Sequence, residues 1–196
     1  MPSRRDILRL AGLAAVSPQA AWAQIQDKAK KPKPAAGTVL VNDVHAQLSS
    51  ARVFKIEQPV SLDGVRKAFA LAKEEERPVC IAGGRHSMGG QPFVADGVMI
   101  DVRKLNKVLA FNDAAGLIEV ESGVMWPQLL EYLVQAQRGR NPQWTFSQKQ
   151  AGADRLTMGG SVSANIHGRG LTLAPFIDDI ESLKLVNHRG DLVPCS

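Results

Sequence analysis

The sequence is poor in cysteine, in aromatic residues and in long apolar runs. Its 196 residues include two cysteines, Cys80 and Cys195, and only 5% aromatic residues. Two cysteines are too few for a disulfide framework, although one disulfide bond between them is an open alternative. Cys80 lies in an apolar run, as is typical of a small buried residue. No run reaches the roughly 20 apolar residues of a membrane-spanning helix. We therefore expect a globular protein with no transmembrane segment in its mature form.

The net charge of +5 is confined to the N-terminal segment. Residues 1–34 carry seven Lys or Arg side chains and two Asp, whereas the rest of the chain carries 17 basic and 17 acidic residues. A protein that binds a phosphate backbone needs a basic patch on its folded part. The sequence therefore predicts no nucleic-acid partner.

The first residues have the layout of an export signal. Residues 1–23 begin with the Arg4-Arg5 pair, continue through an apolar stretch and end in Ala21-Trp22-Ala23, an A-x-A cleavage pattern. The arginine pair resembles a twin-arginine signal, and the alternative is a lone amphipathic N-terminal helix. Residues 24–38 are basic and contain proline, which is typical of a linker. We expect a periplasmic or secreted protein.

The spacing of apolar residues predicts two helices among short strands. The first covers residues 61–76, with Ser61 as its cap. The second covers residues 126–137, with Leu130, Leu133, Val134 and Gln137 along one stripe. Hairpin turns are expected at residues 112–116 and 187–190. Since strands and helices do not alternate regularly, the pattern predicts a mixed α+β fold rather than a Rossmann series.

Two glycine-rich segments are candidates for a ligand site. The first runs Gly83-Gly84-Arg85-His86-Ser87-Met88-Gly89-Gly90 after an apolar strand, and glycine lets backbone N–H groups approach an anion closely. It contains neither G-x-G-x-x-G before a helix nor G-K-S/T, and alone it is equally compatible with a tight turn. The second, residues 156–170, adds paired glycines, hydroxyl residues and His167. Two such loops suit an extended diphosphate ligand.

Four motifs in order carry a family resemblance. They are a helix, a strand and "GGRHS"; two strands and "ESGVMWPQLLEYL"; "DRLTMGGSVSANIHGRG"; and a closing hairpin, "DDIESLKLVNHRGDLVP". This order resembles the PCMH-type FAD-binding domain of the vanillyl-alcohol-oxidase family. The resemblance implies two α+β subdomains, residues 39–108 and 109–196, with FAD between them.

The resemblance also implies the roles of individual residues. Those implied to contact FAD are Gly83, Gly84, Arg85, His86, Ser87 and Met88 in the first segment, and Thr157, Gly159, Gly160, Ser161, Asn165, His167, Gly168 and Ile180 beyond it. Ile180 is implied to bind the adenine through its backbone, and His86 is the candidate for a covalent bond to the flavin. The alternatives for His86 are a noncovalent flavin contact or a surface position.

Other side chains receive simpler interpretations. A zinc site using His86 and His167 lacks further ligands at suitable spacing, so no metal is expected. We expect His45 and His188 to be solvated, Arg103 to lie at a solvated strand end, and Trp126 and Trp144 to be packing residues.

The resemblance implies the FAD-binding part of an exported oxidoreductase that oxidises an alcohol, sugar or lactone-type small molecule by hydride transfer. We expect no catalytic base in these residues, because family members carry a substrate domain after the FAD domain. Such a domain would be a missing C-terminal part or a partner chain. The alternatives are a truncated FAD- or nucleotide-binding module without turnover and an inert truncation product.

Overall fold

The structure is a computed structural model that describes residues 38–149, 152–168, 170, 172 and 174–196. The predicted signal and all but one residue of the predicted linker lie outside these ranges. The described elements, in chain order, are β1 (Val39–Val41), β2 (Ala51–Val53), β3 (Lys55–Glu57), α1 (Leu62–Glu74), β4 (Val79–Ala82), β5 (Val98–Asp101), a 3₁₀ turn (Val102–Lys104), β6 (Val108–Asn112), β7 (Leu117–Val120), α2 (Trp126–Ala136), α3 (Met158–Ser163), a second 3₁₀ turn (Phe176–Asp179), β8 (Leu183–Val186) and β9 (Leu192–Cys195). In these ranges, no helix has the length and apolarity needed to cross a bilayer.

A three-stranded parallel sheet in the order β3-β5-β4 organises the first half. All four residues of the central strand β5 are buried, as expected for a parallel strand covered on both faces. Helix α1 packs against β5 and buries Val65, Ala68 and Ala72. The hydroxyl of Ser61 accepts the N–H of Gly64 at 3.2 Å, so the predicted helix and its cap are confirmed.

A second core lies in the later part of the chain and centres on Trp126. Its fully buried ring packs edge-on against Phe146 and Phe176, at 5.1 and 5.4 Å between ring centroids. The indole contributes to packing, as the sequence predicted.

The buried face of α2 differs from the predicted stripe. Leu129 and Leu133 are buried, whereas Leu130 is 37% exposed and Val134 64% exposed. The large indole at the first helical position fixes which face turns inward, and the residues that follow it at i+3 and i+7 are Leu129 and Leu133. The prediction was therefore right for Leu133 and Gln137 and wrong for the two others.

Three antiparallel pairs complete the described strands: β1 with β2, β6 with β7, and β8 with β9. The last two are the predicted hairpins. Their turns contain Gly116 (φ +68°) and Gly190 (φ +84°), backbone angles that glycine adopts without steric cost. The pair of β1 and β2 was not predicted, because strands of three residues are too short to show a period.

Candidate functional site

The first glycine-rich segment leaves the carboxyl end of β4. Ala82 is buried, and Gly83 to His86 are half-buried as the chain turns away from the sheet. Arg85 has a positive φ of 58°, a left-handed conformation that is uncommon for a residue with a side chain. Its carbonyl oxygen accepts the N–H of Val44 at 3.0 Å. The turn is therefore tied to the loop between β1 and β2. We call residues 83–87 the first wall.

The second glycine-rich segment forms a short helix where a loop was predicted. Thr157 precedes α3, and its hydroxyl accepts the N–H of Gly160 at 3.2 Å. Thr157 also forms an isolated antiparallel bridge with Met125, and the N–H of Gly159 donates to the carbonyl of Ser122 at 2.8 Å. Small residues allow this helix to pack directly on the backbone before α2. We call residues 155–161 the second wall.

The two walls are in direct contact. A Cβ placed on Gly83 would lie 2.1 Å from the Thr157 hydroxyl oxygen, and one on Gly84 would lie 2.3 Å from the Arg155 carbonyl oxygen. Real Cβ atoms do not approach other heavy atoms this closely, so both positions require glycine. The structure therefore brings together the predicted residues Gly83, Gly84 and Thr157.

His86, in the first wall, hydrogen-bonds in two directions. Its Nδ1 is 2.8 Å from Nε2 of His45, and it also bonds the backbone of Arg155. Burial lowers the pKa of His86 below its usual value, and the nearby His45 lowers it further, while the bond to Arg155 acts in the opposite direction. The imidazole is therefore neutral at neutral pH, which is the nucleophilic form.

His45 is exposed, in agreement with its predicted solvation, but it also has a partner that was not predicted. Its ring contacts His86 with 4.8 Å between ring centroids. Asp43-Val44-His45 is a turn sequence in which an Asp side chain accepts nearby backbone N–H groups. That local pattern predicts a turn. It does not indicate a partner 41 residues later in the chain, so the contact between His45 and His86 was not predictable from the sequence.

Two buried polar atoms at the walls have no hydrogen-bond partner among the described residues. One is Nε of Arg85 and the other is the hydroxyl of Ser161, a residue with no exposed surface. Buried groups of this kind are normally satisfied, and their lack of a partner is expected where a polar ligand binds. A guanidinium N–H and a hydroxyl both suit phosphate or carbonyl oxygens. Together with the close glycines, they fit a diphosphate-bearing cofactor such as FAD.

The remaining predicted residues occupy more open positions. Ser87, Met88, Asn165 and His167 are exposed, and Nδ1 of His167 pairs with the carbonyl oxygen of Gly168 at 2.8 Å. The N–H of Gly168 is 3.4 Å from Oε1 of Gln148, a buried side chain that sequence reasoning missed. Ile180 packs against the second core, and its N–H donates to the carbonyl of Ile177. The cofactor roles of these residues stay predictions.

A charged pair lies beside the second wall. Asp101 is buried at the end of β5, and two nitrogens of Arg103 donate to its carboxylate at 2.5 and 2.8 Å. Arg103 is therefore a partner of a buried acid and not the solvated strand end that was predicted. Its side chain and that of Arg155 line a cavity of about 370 Å³. In the described ranges, no three His, Cys, Asp or Glu side chains are placed to share a metal ion.

Comparison with known proteins gives a family match over most of the chain. A family model described as an FAD binding domain matches residues 55–196. L-gulonolactone oxidase of Bos taurus is 29% identical over 139 residues, which cover 71% of this chain and 30% of that protein. D-lactate dehydrogenase of Anaerostipes hadrus is 26% identical over 154 residues, covering 78% of this chain and 31% of that protein. The chain thus spans about 30% of the length of these curated relatives.

A solved structure has the same fold. The 6-hydroxy-D-nicotine oxidase from Arthrobacter nicotinovorans superposes with a TM-score of 0.60 at 17% identity, covering 85% of this chain and 38% of that one. At this level of identity the likeness concerns the fold alone. The predicted α+β fold of the PCMH type is confirmed, whereas the boundary between the two subdomains at residue 108 stays a prediction.

Proposed function

Since the chain belongs to the family of FAD binding domains, we propose that it is the FAD-binding part of an exported oxidoreductase that oxidises an alcohol, a sugar or a lactone-type substrate. The cofactor of this family is FAD. When bound, FAD supplies the hydride acceptor, and the protein supplies position and electrostatic environment. The substrate class rests on the relatives, which are named for a lactone and for lactate.

The observation that carries this proposal is the contact between the two walls. Gly83 and Thr157 approach so closely that no side chain fits between them, and Arg85 and Ser161 present buried polar atoms that have no partner among the residues the structure describes. These residues would hold the diphosphate and the flavin by backbone and side-chain hydrogen bonds. Closely packed walls also exclude water from a bound cofactor.

We further propose that His86 forms a covalent bond to the 8α-methyl carbon of the flavin. Its neutral imidazole supports this role, because a protonated ring has no free lone pair for attack. In the net reaction one N–C bond forms, the imidazole N–H and one methyl C–H break, and the two hydrogens reduce dioxygen to hydrogen peroxide. The tether prevents the cofactor from being lost outside the cell.

The experiment is a visible absorption spectrum of the full chain, purified with added FAD, before and after acid precipitation. We expect flavin absorbance that stays with the precipitated protein, and its loss on precipitation of the His86→Ala variant. His188→Ala, an exposed histidine on the last hairpin turn, serves as the matched control. A folded chain with no affinity for FAD would overturn the proposal, and a His86→Ala variant that keeps its flavin would overturn the tether.

Turnover is tested separately, by adding alcohols, sugars and lactones to the FAD-loaded chain without oxygen. Bleaching of the flavin absorbance by one of them would show that these residues carry out turnover. The alternative is a module that binds FAD without turnover. Reversible binding with no bleaching by any substrate would support that alternative.

Export is proposed from residues 1–23 of the sequence, namely the arginine pair and the A-x-A pattern. We expect the mature protein in the periplasm or outside the cell. A double variant, Arg4→Lys with Arg5→Lys, should retain the protein in the cytoplasmic fraction while the unaltered chain is exported. If the variant and the unaltered chain are distributed equally between the cytoplasmic and exported fractions, the twin-arginine signal is refuted.

A further inference from the structure

The side chains of His45 and His86 form a pair at the edge of the first wall. Nε2 of His45 lies 2.8 Å from Nδ1 of His86, and the two rings are inclined by 59°. None of the motifs that indicate FAD binding contains His45, which precedes β2. A hydrogen bond of this length occupies Nδ1 and leaves Nε2 as the only nitrogen of His86 that faces elsewhere.

The loop that carries His45 is held in place by the side chain of Asp43 and by a backbone hydrogen bond to the first wall. Oδ1 of Asp43, a residue 2% exposed, accepts the N–H groups of His45 and Ala46 at 2.8 and 2.7 Å. The N–H of Val44 donates to the carbonyl of Arg85, the residue before His86. The backbones that carry both histidines are thus held by hydrogen bonds, and the two rings meet across two ordered loops.

The other nitrogen of His86 faces the second wall. A carbonyl oxygen only accepts hydrogen bonds, so the bond from His86 to the Arg155 backbone is donated by Nε2–H. Consistently, a Cβ on Gly84 would lie 3.3 Å from Nε2 of His86 and 2.3 Å from the Arg155 oxygen. In this arrangement Nδ1 carries no proton and accepts from His45. A cofactor bound between the walls would replace Arg155 as the neighbour of Nε2, and without that acceptor the ring would hold its proton on Nδ1.

We propose that His45 is a positioning residue for His86: it occupies Nδ1, so that Nε2 is the nitrogen that bonds to the flavin. The inference rests on the proposed tether. In the reactive form, Nδ1–H donates to Nε2 of His45 and the lone pair of His86 lies on Nε2. As the N–C bond forms at the 8α-carbon, the Nδ1 proton passes to His45 and then to water.

The electrons of this step are accounted for by dioxygen. One methyl C–H breaks, its two electrons pass to the flavin, and dioxygen takes them up with two protons as hydrogen peroxide. After the step, Nδ1 of His86 has no proton and accepts from His45 Nε2–H. A histidine at position 45 can accept before the step and donate after it, because its ring nitrogen serves in either role.

The test identifies the linkage atom in the full chain loaded with FAD. The flavin peptide is isolated after digestion, and NMR distinguishes an Nε2 bond from an Nδ1 bond. We expect Nε2. In the His45→Ala variant, attachment should slow by roughly a hundredfold, as for the loss of a general base, and both nitrogens should be found. His45→Gln keeps a hydrogen-bonding group there and should retain the Nε2 bond, while His188→Ala should behave as the unaltered chain.

Each outcome decides the proposal. An Nδ1 bond in the unaltered chain, or unchanged rate and linkage in His45→Ala, overturns it. If FAD binds without a covalent bond or does not bind at all, the tether or the proposed function fails. In either case the ¹⁵N resonances of the His86 ring still test the pair. A changed ¹⁵N chemical shift of His86 Nδ1 in His45→Ala, with no change in His188→Ala, supports the positioning role. An unchanged chemical shift in His45→Ala overturns it. Circular dichroism checks that each variant is folded.

Discussion

Asp101 is a buried acid whose charge is balanced by a residue close in sequence. It is 2% exposed, and Nη2 of Arg103 donates to its carboxylate at 2.5 Å, with Gln58 donating at 3.2 Å. Burial acts to raise the pKa of Asp101, but the hydrogen bonds from Arg103 and Gln58 outweigh it and hold the pKa below its usual value. Asp101 therefore keeps its charge in the folded protein and fixes the chain where β5 ends.

The Asp101→Asn variant should be less stable at neutral pH by about 1–3 kcal/mol in the free energy of unfolding, since Arg103 loses its charged partner. The folded-state pKa of Asp101 lies below the unfolded value of 3.8. The stability that Asp101 contributes is thus present above pH 3.8 and is lost as the pH falls through the folded-state pKa. Urea unfolding at neutral and acidic pH measures this effect. The difference in the free energy of unfolding between the variant and the unaltered chain should be present at neutral pH and disappear in acid.

The control for this prediction is Asp178→Asn, at an exposed acid in the second 3₁₀ turn. It should change the free energy of unfolding by no more than about 0.5 kcal/mol at neutral pH. A gap for Asp101→Asn that stays constant with pH would contradict the role of the carboxylate charge.

Helix α2 shows what periodicity can and cannot specify. The sequence predicted its extent, because apolar residues recur at helical spacing and Pro127 suits the first turn. It predicted the buried face only in part, since apolar residues surround the helix on more than one side. The position of Trp126 against Phe146 and Phe176 decides the face, and those contacts join distant parts of the chain.

Leu129 and Leu130 are a matched pair for testing this face. Leu129 is 2% exposed and Leu130 is 37% exposed, although the two have the same chemistry and adjacent positions. Leu129→Ala should lower the free energy of unfolding by about 2–5 kcal/mol, because it leaves a cavity in the second core. Leu130→Ala should cost clearly less, about 1 kcal/mol. Chemical unfolding of both variants measures the difference, and equal costs would contradict the described face.

At the scale of the molecule, the described residues form two groups of buried side chains in successive parts of the chain. The first consists of Val41, Val53, Cys80, Ala82 and Met99, and the second of Val124, Trp126, Leu129, Met158 and Phe176. The two parts approach each other at the walls, where Gly83 meets Thr157. A residue at this contact therefore affects both parts at once.

The Gly83→Ala variant tests this contact. Its Cβ would lie 2.1 Å from the Thr157 hydroxyl oxygen, so the walls must move apart. We expect a loss of about 1–3 kcal/mol in the free energy of unfolding, as for overpacking. In Gly168→Ala the nearest atom is 3.4 Å away, an ordinary contact, and the loss should be smaller. Thermal unfolding of the two variants compares them, and an unchanged stability of Gly83→Ala would show that the walls separate without cost.

The sequence was sufficient to predict most of the helices and strands and the two glycine-rich segments that form the walls. Paired glycines are recognisable because they follow apolar strands, and the hairpins because turn residues flank alternating segments. The contacts of His45 with His86 and of Gln148 with Gly168 were not predictable, since each joins a loop residue to another loop and leaves no periodic signal. Short loops are positioned by the rest of the fold, which local patterns do not encode.

One long-range hydrogen bond bears on how the protein is made. Nε of Arg66, in α1, donates to the carbonyl of Gly190 at 2.9 Å, across 124 positions of sequence. At a synthesis rate of about 5–20 residues per second, Arg66 is added to the growing chain roughly 6 to 25 seconds before Gly190. During that interval the first helix is made without the turn that later accepts its hydrogen bond. The order of translation thus leaves the Arg66 side chain without this partner until the last hairpin has been synthesised.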